Sequence, residues 1–318
     1  MHGGSLKKIR SLSPRINSKE ERFVKAQVVF ELRHKYTQKM LLECVQMSRG
    51  SYLYQIKHAK EKSFSVKHSD TIEAIKQIHT ESKCRYGYRR VTAALNRLGI
   101  HKNHKTVQSL MQKIALHGTY TKKKRRYSSY KGDVGKAADN VLNRDFSPQT
   151  PFTKFATDVS EFSIADGKLY LSPIIDMYSY EVVAFDVAKS PNLQQIDRML
   201  KGSSKLINKY DIKDALVHSD QGWQYRHHFW RTWLQNHGIT QSMSRKAKTH
   251  DNIMIEIFFG RMKEEMFYGK EKNFKSLEQL EQEIKDYIKW YNNKRISTNL
   301  KGLTPIEYRN QALEDARI

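Results

Sequence analysis

Between residues 150 and 245 the chain carries three strand-like segments in quick succession, at 154–162, 169–175 and 182–188, and then alternates helix and strand. The connections Ala165-Asp-Gly-Lys168 and Met177-Tyr-Ser-Tyr180 suit hairpins. After them come a helix at about 193–209, a strand at 215–218, a helix at 225–236 and a strand at 239–244. Late helices begin near 252 and 277. The pattern predicts an α/β core with a mixed five-stranded sheet flanked by helices.

Three acids hold notable places on this pattern. Asp158 lies in the first strand-like run, Asp220 closes the fourth just before Gln221-Gly222, and Glu256 follows on a helix after thirty-five intervening residues. A polar residue at the C-terminal tip of a parallel strand sits where open α/β sheets bind ligands. Carboxylates from separate elements that converge on one point can hold a metal pair for phosphoryl chemistry. Spacing alone proves little among 33 acidic residues, and Glu161, Asp166, Asp176, Asp186, Glu264 and Glu265 are local rivals. Helical spacing puts Asn252, Glu256 and Lys263 on one face, with Met254, Ile257, Phe258, Met262 and Met266 as the core stripe. Taken alone, an acid beside a lysine on such a face is usually an exposed ion pair.

Charge divides the chain. Residues 1–150 hold 32 basic and 11 acidic residues, net +21, whereas residues 151–318 hold 25 and 22, net +3. The first half is therefore the polyanion-binding half, and nucleic acid is the economical partner because Lys and Arg displace phosphate counterions. No basic amphipathic helix or apolar anchor supports a membrane partner, and no apolar run is long enough to span one. Cys44 and Cys84 stand far apart without a CxxC, which leaves no four-ligand zinc site and no disulfide framework. The N-terminus lacks the apolar stretch of a signal peptide, so a cytoplasmic location is expected.

The expected organisation is a flexible basic lead at 1–20, a helix-turn-helix-like domain at 21–62 and a second helical DNA-binding domain at 66–120. A basic linker at 121–150, a catalytic core at 151–270 and a C-terminal helix and tail at 271–318 complete it. Helices at 23–34, 38–45 and 48–58, the last N-capped by Ser48, would present Arg49, Tyr52 and Lys57 to the major groove. A plain three-helix scaffold gives much the same pattern. In the second helical domain, Arg85, Tyr88, Arg89, Arg90, Lys102 and Lys105 sit at helix starts and turns, where phosphate contacts are common. The run Lys122, Lys123, Lys124, Arg125 and Arg126, flanked by tyrosines, reads equally as a solvated linker or a phosphate-tracking one.

Several motifs together resemble a known family. They are Thr157-Asp-Val-Ser-Glu-Phe162, Lys168-Leu-Tyr-Leu-Ser-Pro-Ile174, His218-Ser-Asp-Gln-Gly222, Gln241-Ser-Met-Ser-Arg-Lys246 and Glu256-Ile-Phe-Phe-Gly260. Arg85-Tyr-Gly-Tyr-Arg-Arg90, Tyr291-Asn-Asn-Lys-Arg295 and Leu300-Lys-Gly-Leu-Thr-Pro-Ile-Glu-Tyr308 join them. This set is similar to the integrase-type transposases of bacterial insertion sequences, in the insertion-sequence-three family, over nearly the whole chain from about residue 25. The resemblance implies a ribonuclease-H-like core preceded by all-α helix-turn-helix domains. It implies a DDE triad of Asp158, Asp220 and Glu256 that is both catalytic and metal-binding, holding two Mg2+ ions, with Mn2+ as a substitute. The implied activity is binding of terminal inverted repeats in double-stranded DNA, strand cleavage, and transfer of the freed 3′-hydroxyl to target DNA. Arg245, Lys246, Asn252 and Lys263 are then further DNA contacts, Lys263 at the terminal phosphate. The implied partners are further copies of the chain on DNA, as a dimer or larger, and an upstream-frame helical protein; the implied setting is bacterial and nucleoid-associated. Ala247-Lys-Thr-His-Asp-Asn-Ile253 departs from the family's Gly-Asn-Cys-x-Asp-Asn-Ala, losing a glycine and gaining bulk at Ile253. A catalytically inactive end-binding DNA regulator, or a nuclease acting on RNA–DNA hybrid, are the competing readings.

Overall fold

A computed structural model describes residues 18–119, 137–246 and 248–315. The Lys122–Arg126 run and nearly all of the basic lead lie outside them. The chain divides between Ala74 and Ile75 into two compact units.

The first unit contains α1 (Ser18–Leu32), α2 (Gln38–Cys44) and α3 (Arg49–Lys67). Ala26, Val29, Leu41, Leu42, Val45 and Tyr52 form its buried centre. Gln46 takes φ 54° to close α2, and the Met47 N–H donates to Leu42 O at 3.0 Å. Ser48 caps α3 as expected, its Oγ accepting from the Ser51 N–H at 3.2 Å, and α3 runs well past the anticipated end at residue 58.

Helix α4 (Ser69–Glu81) spans the division; α5 (Tyr88–Arg97) and α6 (His104–Lys113) follow in the second unit. Gly99 at φ 76° ends the turn after α5, with the Ile100 N–H on Leu95 O. This helical region is fastened to the rest of its unit by polar contacts. Arg97 forks onto Glu307 at 2.6 and 3.0 Å, and Tyr86 Oη donates to Lys294 O while accepting the Ile296 N–H.

The sheet comprises β1 (Lys154–Thr157), β2 (Ser160–Ile164), β3 (Gly167–Asp176), β4 (Val182–Ala188), β5 (Leu216–Ser219) and β6 (Thr240–Met243). β3 pairs antiparallel with β4 along one edge and with β2 and then β1 along the other. β1 pairs parallel with β5, and β5 parallel with β6. The expected single strand at 154–162 is thus one row broken at Asp158-Val159, and six segments make the five rows of a ribonuclease-H-like sheet. One sheet face buries Phe162, Leu171 and Ile175 under α10 (Ile253–Met262) and α11 (Leu277–Asn293). The other buries Phe155, Ile174 and Val217 under α7 (Leu193–Tyr210) and α9 (His228–Asn236). The four-residue α8 (Trp223–Arg226) follows β5, and α12 (Pro305–Asp315) ends the described chain.

The core stripe of α10 differs from the sequence expectation. Ile255, Phe258, Phe259 and Met262 are buried, whereas Ile257 is exposed and Met254 only partly covered. The helix begins at Ile253 after a 3-10 turn at Thr249–Asn252 and passes into a π-helical turn at Lys263–Phe267. Each change of winding shifts the face that a constant 3.6 period assigns. Among the described residues no helix is long and apolar enough to cross a membrane.

Candidate active site

The parallel pairing of β1 with β5 sets the site. Lys154, Phe155 and Ala156 pair with Leu216, Val217 and His218, and the same offset continued carries Asp158 level with Asp220. Adjacent strands lie about 4.8 Å apart, so two carboxyls at one level on neighbouring tips must feel each other. Each acid sits one residue beyond its strand. Asp158 Oδ1 accepts the Val159 N–H at 2.7 Å, and Asp220 Oδ1 accepts the Gly222 N–H at 2.8 Å, an Asx turn that ends β5. A Cβ on Gly222 would stand 2.9 Å from that same oxygen and from Gln224 Nε2, so a larger residue there would have to displace these side chains. Glu256 is exposed, on the first turn of α10.

Electrostatics tie the three together. Burial pushes the Asp158 carboxyl well above the usual carboxylate range, the Asp220 charge pushes it further, and Glu256 adds to this; the Val159 N–H and Lys263 pull the other way. Burial also raises Asp220, against the Gly222 N–H and Arg226, and raises Glu256, against His250. For the Asp158–Asp220 pair the direction is upward, because two neighbouring carboxylates disfavour double ionisation. Among the described residues no three His, Cys, Asp or Glu side chains already stand as a metal cage. Glu256 bears on Asp158 through its charge.

His218, next to this pair, is 1 % exposed, and its Nδ1 meets Ser242 Oγ at 2.9 Å. Burial lowers it to about 4, so it is neutral at ordinary pH and ties β5 to β6. Five of the six rival acids are engaged elsewhere in the fold. Asp176 accepts from the Phe152 and Ser179 N–H groups and Ser179 Oγ. Asp166 caps α11 at the Leu277 N–H, Asp186 pairs with Arg198, and Glu161 takes Lys168 and Tyr170. Glu265, on the π turn, accepts from Arg295, Arg90 and Tyr287 Oη.

The basic residues expected at DNA are placed unevenly. Arg49 and Lys57 are exposed on α3, but Tyr52 is 5 % exposed inside the first unit's core. Arg89 and Lys105 are exposed, and Tyr88 and Lys102 half-buried. Arg85 and Arg90 turn inward. Arg85 lies 4.4 Å over the Trp290 ring, and Arg90 Nη1 bonds Glu265 Oε1 at 2.9 Å, so both helix-start arginines fasten α5 to the core and face no phosphate. Asn252 is likewise buried. Lys246 is exposed, Arg245 holds Asp251, and Lys263 is half-buried over the Phe162 ring at 4.9 Å, where its charge reaches Asp158.

Sequence reasoning missed Asp251, Arg144 and Arg226. Asp251 anchors the departing loop, accepting from Arg144, Arg245 and Asn140, and its carboxyl is held far below the usual range by the Arg245 bonds first and Arg144 next. Ile253 is half-buried at the start of α10. Arg226 bonds Gln221 Oε1 at 2.7 Å, and its charge bears on Asp220. An acid at a helix start was visible; two of its partners, Asn140 and Arg144, lie more than a hundred residues earlier in the sequence.

A five-row mixed sheet with acids at the tips of two adjacent parallel strands, and a third acid on a following helix, defines a ribonuclease-H-like core of the integrase kind. Residues 148–249 and 256–313 match models described as integrase core domain, and 67–124 one described as HTH-like domain. The putative transposase InsK for insertion sequence element IS150 of Escherichia coli K12 is 44% identical over 89% of this chain and 97% of that protein. The transposase InsF for insertion sequence IS3A of the same organism is 30% identical over 74% of this chain and 80% of its own. A solved HTLV-2 integrase catalytic core domain in complex with magnesium aligns at a TM-score of 0.37 and 14% identity, over 51% of this chain and 98% of that one. The chain belongs to the insertion-sequence-three family of DDE transposases.

Proposed function

We propose that the chain binds the terminal inverted repeats of its insertion sequence and carries out cleavage and 3′-hydroxyl strand transfer at Asp158, Asp220 and Glu256. The observation that carries this reading is the register of β1 on β5, which brings two under-neutralised carboxyls level at the tips of adjacent strands. The donor set fits a hard divalent cation: all-oxygen, carboxylate, and short of positive charge in the absence of one. Asp158 and Asp220 would hold Mg2+ between the strand tips, and Glu256 would join them from α10. Held there, two such ions would supply charge stabilisation for the oxygens of an in-line displacement.

The chain's own residues do the positioning. Water attacks a phosphodiester at the element end, the P–O3′ bond breaks, and the 3′-hydroxyl is freed. That hydroxyl attacks a target phosphodiester and displaces its 3′-oxygen. Lys263, fixed over Phe162 beside Asp158, meets the terminal phosphate. Neutral His218 takes no part in proton transfer. Joining two ends requires both in one assembly, so the working form is a dimer or larger on DNA.

The test uses the full chain with Mg2+ and a duplex bearing the ends that flank its coding sequence. Cleavage and joining are expected, with loss of both in Asp158→Asn and Glu256→Gln and retention of end binding. Undiminished activity in Glu256→Gln removes that residue from the site. End binding without transfer in any divalent metal identifies an inactive regulator instead.

A further inference from the structure

The loop that leads into α10 carries a buried acid that the strand-transfer reading does not use. Asp251 is 1 % exposed. Its carboxylate accepts from Asn140 Nδ2 at 3.0 Å, Arg144 Nε at 2.7 Å, Arg245 Nε and Nη2 at 2.8 and 2.9 Å, and the Arg245 N–H at 3.2 Å. One buried charge thus holds two guanidiniums side by side. Both side chains stay about half exposed, at 47% and 49%. Arg144 is engaged through Nε alone, and among the described residues neither its Nη groups nor Arg245 Nη1 has an acceptor.

Arg144 is held in place by unusual backbone. Asn143 and Arg144 both take left-handed φ, 44° and 64°. Such strain in non-glycine residues gathers at functional sites and persists only where the surroundings enforce it. Here the turn is strapped to β6: the Leu142 N–H donates to Ser242 Oγ at 3.0 Å and the Met243 N–H to Asp139 O at 3.2 Å. Lys246 and Lys248 are exposed on the neighbouring loop. Of the acids on the turn, Asp145 is paired with Lys154 Nζ at 2.6 Å and Asp139 is exposed.

We propose that Arg144 and Arg245 form a phosphodiester-binding fork for the DNA strand that runs past Glu256, with Asp251 as the buried post that fixes their spacing. Two guanidinium edges held together match the paired oxygens of a phosphate, which a lone lysine cannot. The two cations exceed the one buried anion by a full charge, and Asp251 stands five positions before Glu256, on the turn that leads directly into α10. The inference rests on the strand-transfer reading, and adds to it Arg144 and a role for Asp251.

The experiment measures binding of the full chain to a generic duplex by fluorescence anisotropy across a range of KCl. Arg144→Gln and Arg245→Gln should each weaken binding several-fold and flatten the slope of log K against log salt by about 0.9, the value for one lost phosphate contact. Arg144→Lys, which keeps the charge, should restore much of the slope. Should a variant misfold, the unaltered chain is labelled with phenylglyoxal: duplex should protect Arg144 and Arg245. Arg198, which is equally exposed and forked onto Asp186, is the control for the reactivity of a paired arginine. An unchanged slope in both glutamine variants, or labelling of Arg144 and Arg245 that duplex does not alter, overturns the fork. A chain that shows the slope change but never cleaves keeps the fork and loses the strand-transfer reading; cleavage with unchanged slopes does the reverse.

Discussion

Glu265→Gln separates this structural acid from Glu256, the acid proposed for catalysis two turns earlier. Glu265 is 4 % exposed and accepts from Arg295 Nε and Nη2, Arg90 Nη1 and Tyr287 Oη. Burial alone would raise its carboxyl, but the guanidiniums of Arg295 and Arg90 overcome this and pull it down to about 2. Glutamine keeps the shape yet leaves two guanidiniums buried without a counter-charge, a change that costs about 3–5 kcal/mol. For a unit of this size the loss corresponds to a fall in Tm of roughly 6–20 °C. The same carboxyl gives the sign of the acid response. A carboxylate depressed from about 4.5 to about 2 contributes stability that is complete above its unfolded value and is lost as pH falls from about 5 through 2. The shift is worth about 3 kcal/mol. Calorimetry of the full chain, with Glu256→Gln as the companion, supplies the comparison. Exposed Glu256 should leave Tm within the range of ordinary surface changes, about 0.5 kcal/mol, while abolishing transfer. A Tm for Glu265→Gln equal to the parent's would refute the assignment of that acid to the fold.

His218 responds at higher pH: held neutral with a value lowered by burial to about 4, it contributes stability that is complete above about 6.5 and is lost as pH falls toward 4. His218→Asn should therefore flatten the fall in Tm over that window, and an unchanged fall argues against a buried neutral ring. Gly118→Ala puts a Cβ 2.6 Å from the Gly87 nitrogen and should destabilise the second unit by about 1–3 kcal/mol in urea unfolding. Gly50→Ala, with open space at the start of α3, should be neutral or stabilising. Asp158→Asn removes a buried carboxyl that its neighbours disfavour, so in metal-free buffer at neutral pH it should match or exceed the parent in Tm, with Mg2+ then stabilising only the parent; a lower Tm in the variant counts against the repulsion.

The rows of the sheet were legible because each strand carries its own apolar run and its own turn residues. The break at Asp158-Val159 was not; there the Val159 N–H is taken by Asp158 Oδ1 at 2.7 Å, a local contact that no apolar pattern marks. Caps read from local sequence, such as Ser48 on α3, formed as expected. Arg85 and Arg90 misled for a physical reason: an arginine at a helix start looks the same whether it meets a phosphate or a buried glutamate. Only the fold brings Trp290 and Glu265 to them across more than 170 residues of chain. The fork on Asp251 was hidden in the same way, with Asn140 and Arg144 arriving from before the sheet and Arg245 from after it.

The identity of the third acid can be argued from hydrogen-bond supply. A buried carboxylate is stable when donors or cations replace the water it has lost, and costly otherwise. Asp176, Asp251 and Glu265 each accept at least three hydrogen bonds within the fold, and two of them are held below the usual carboxylate range. Asp158 and Asp220 accept one backbone N–H each, and both stand above it. Glu256 is the acid of α10 whose charge adds to that felt by Asp158, while Glu265, one helix continuation away, spends its charge on Arg295 and Arg90. Spacing in the sequence admits either glutamate. The shortage of donors marks Asp158 and Asp220 as carboxyls that would gain from a cation brought in from outside the chain, and the charge of Glu256 on Asp158 is the reason to propose it as the third acid.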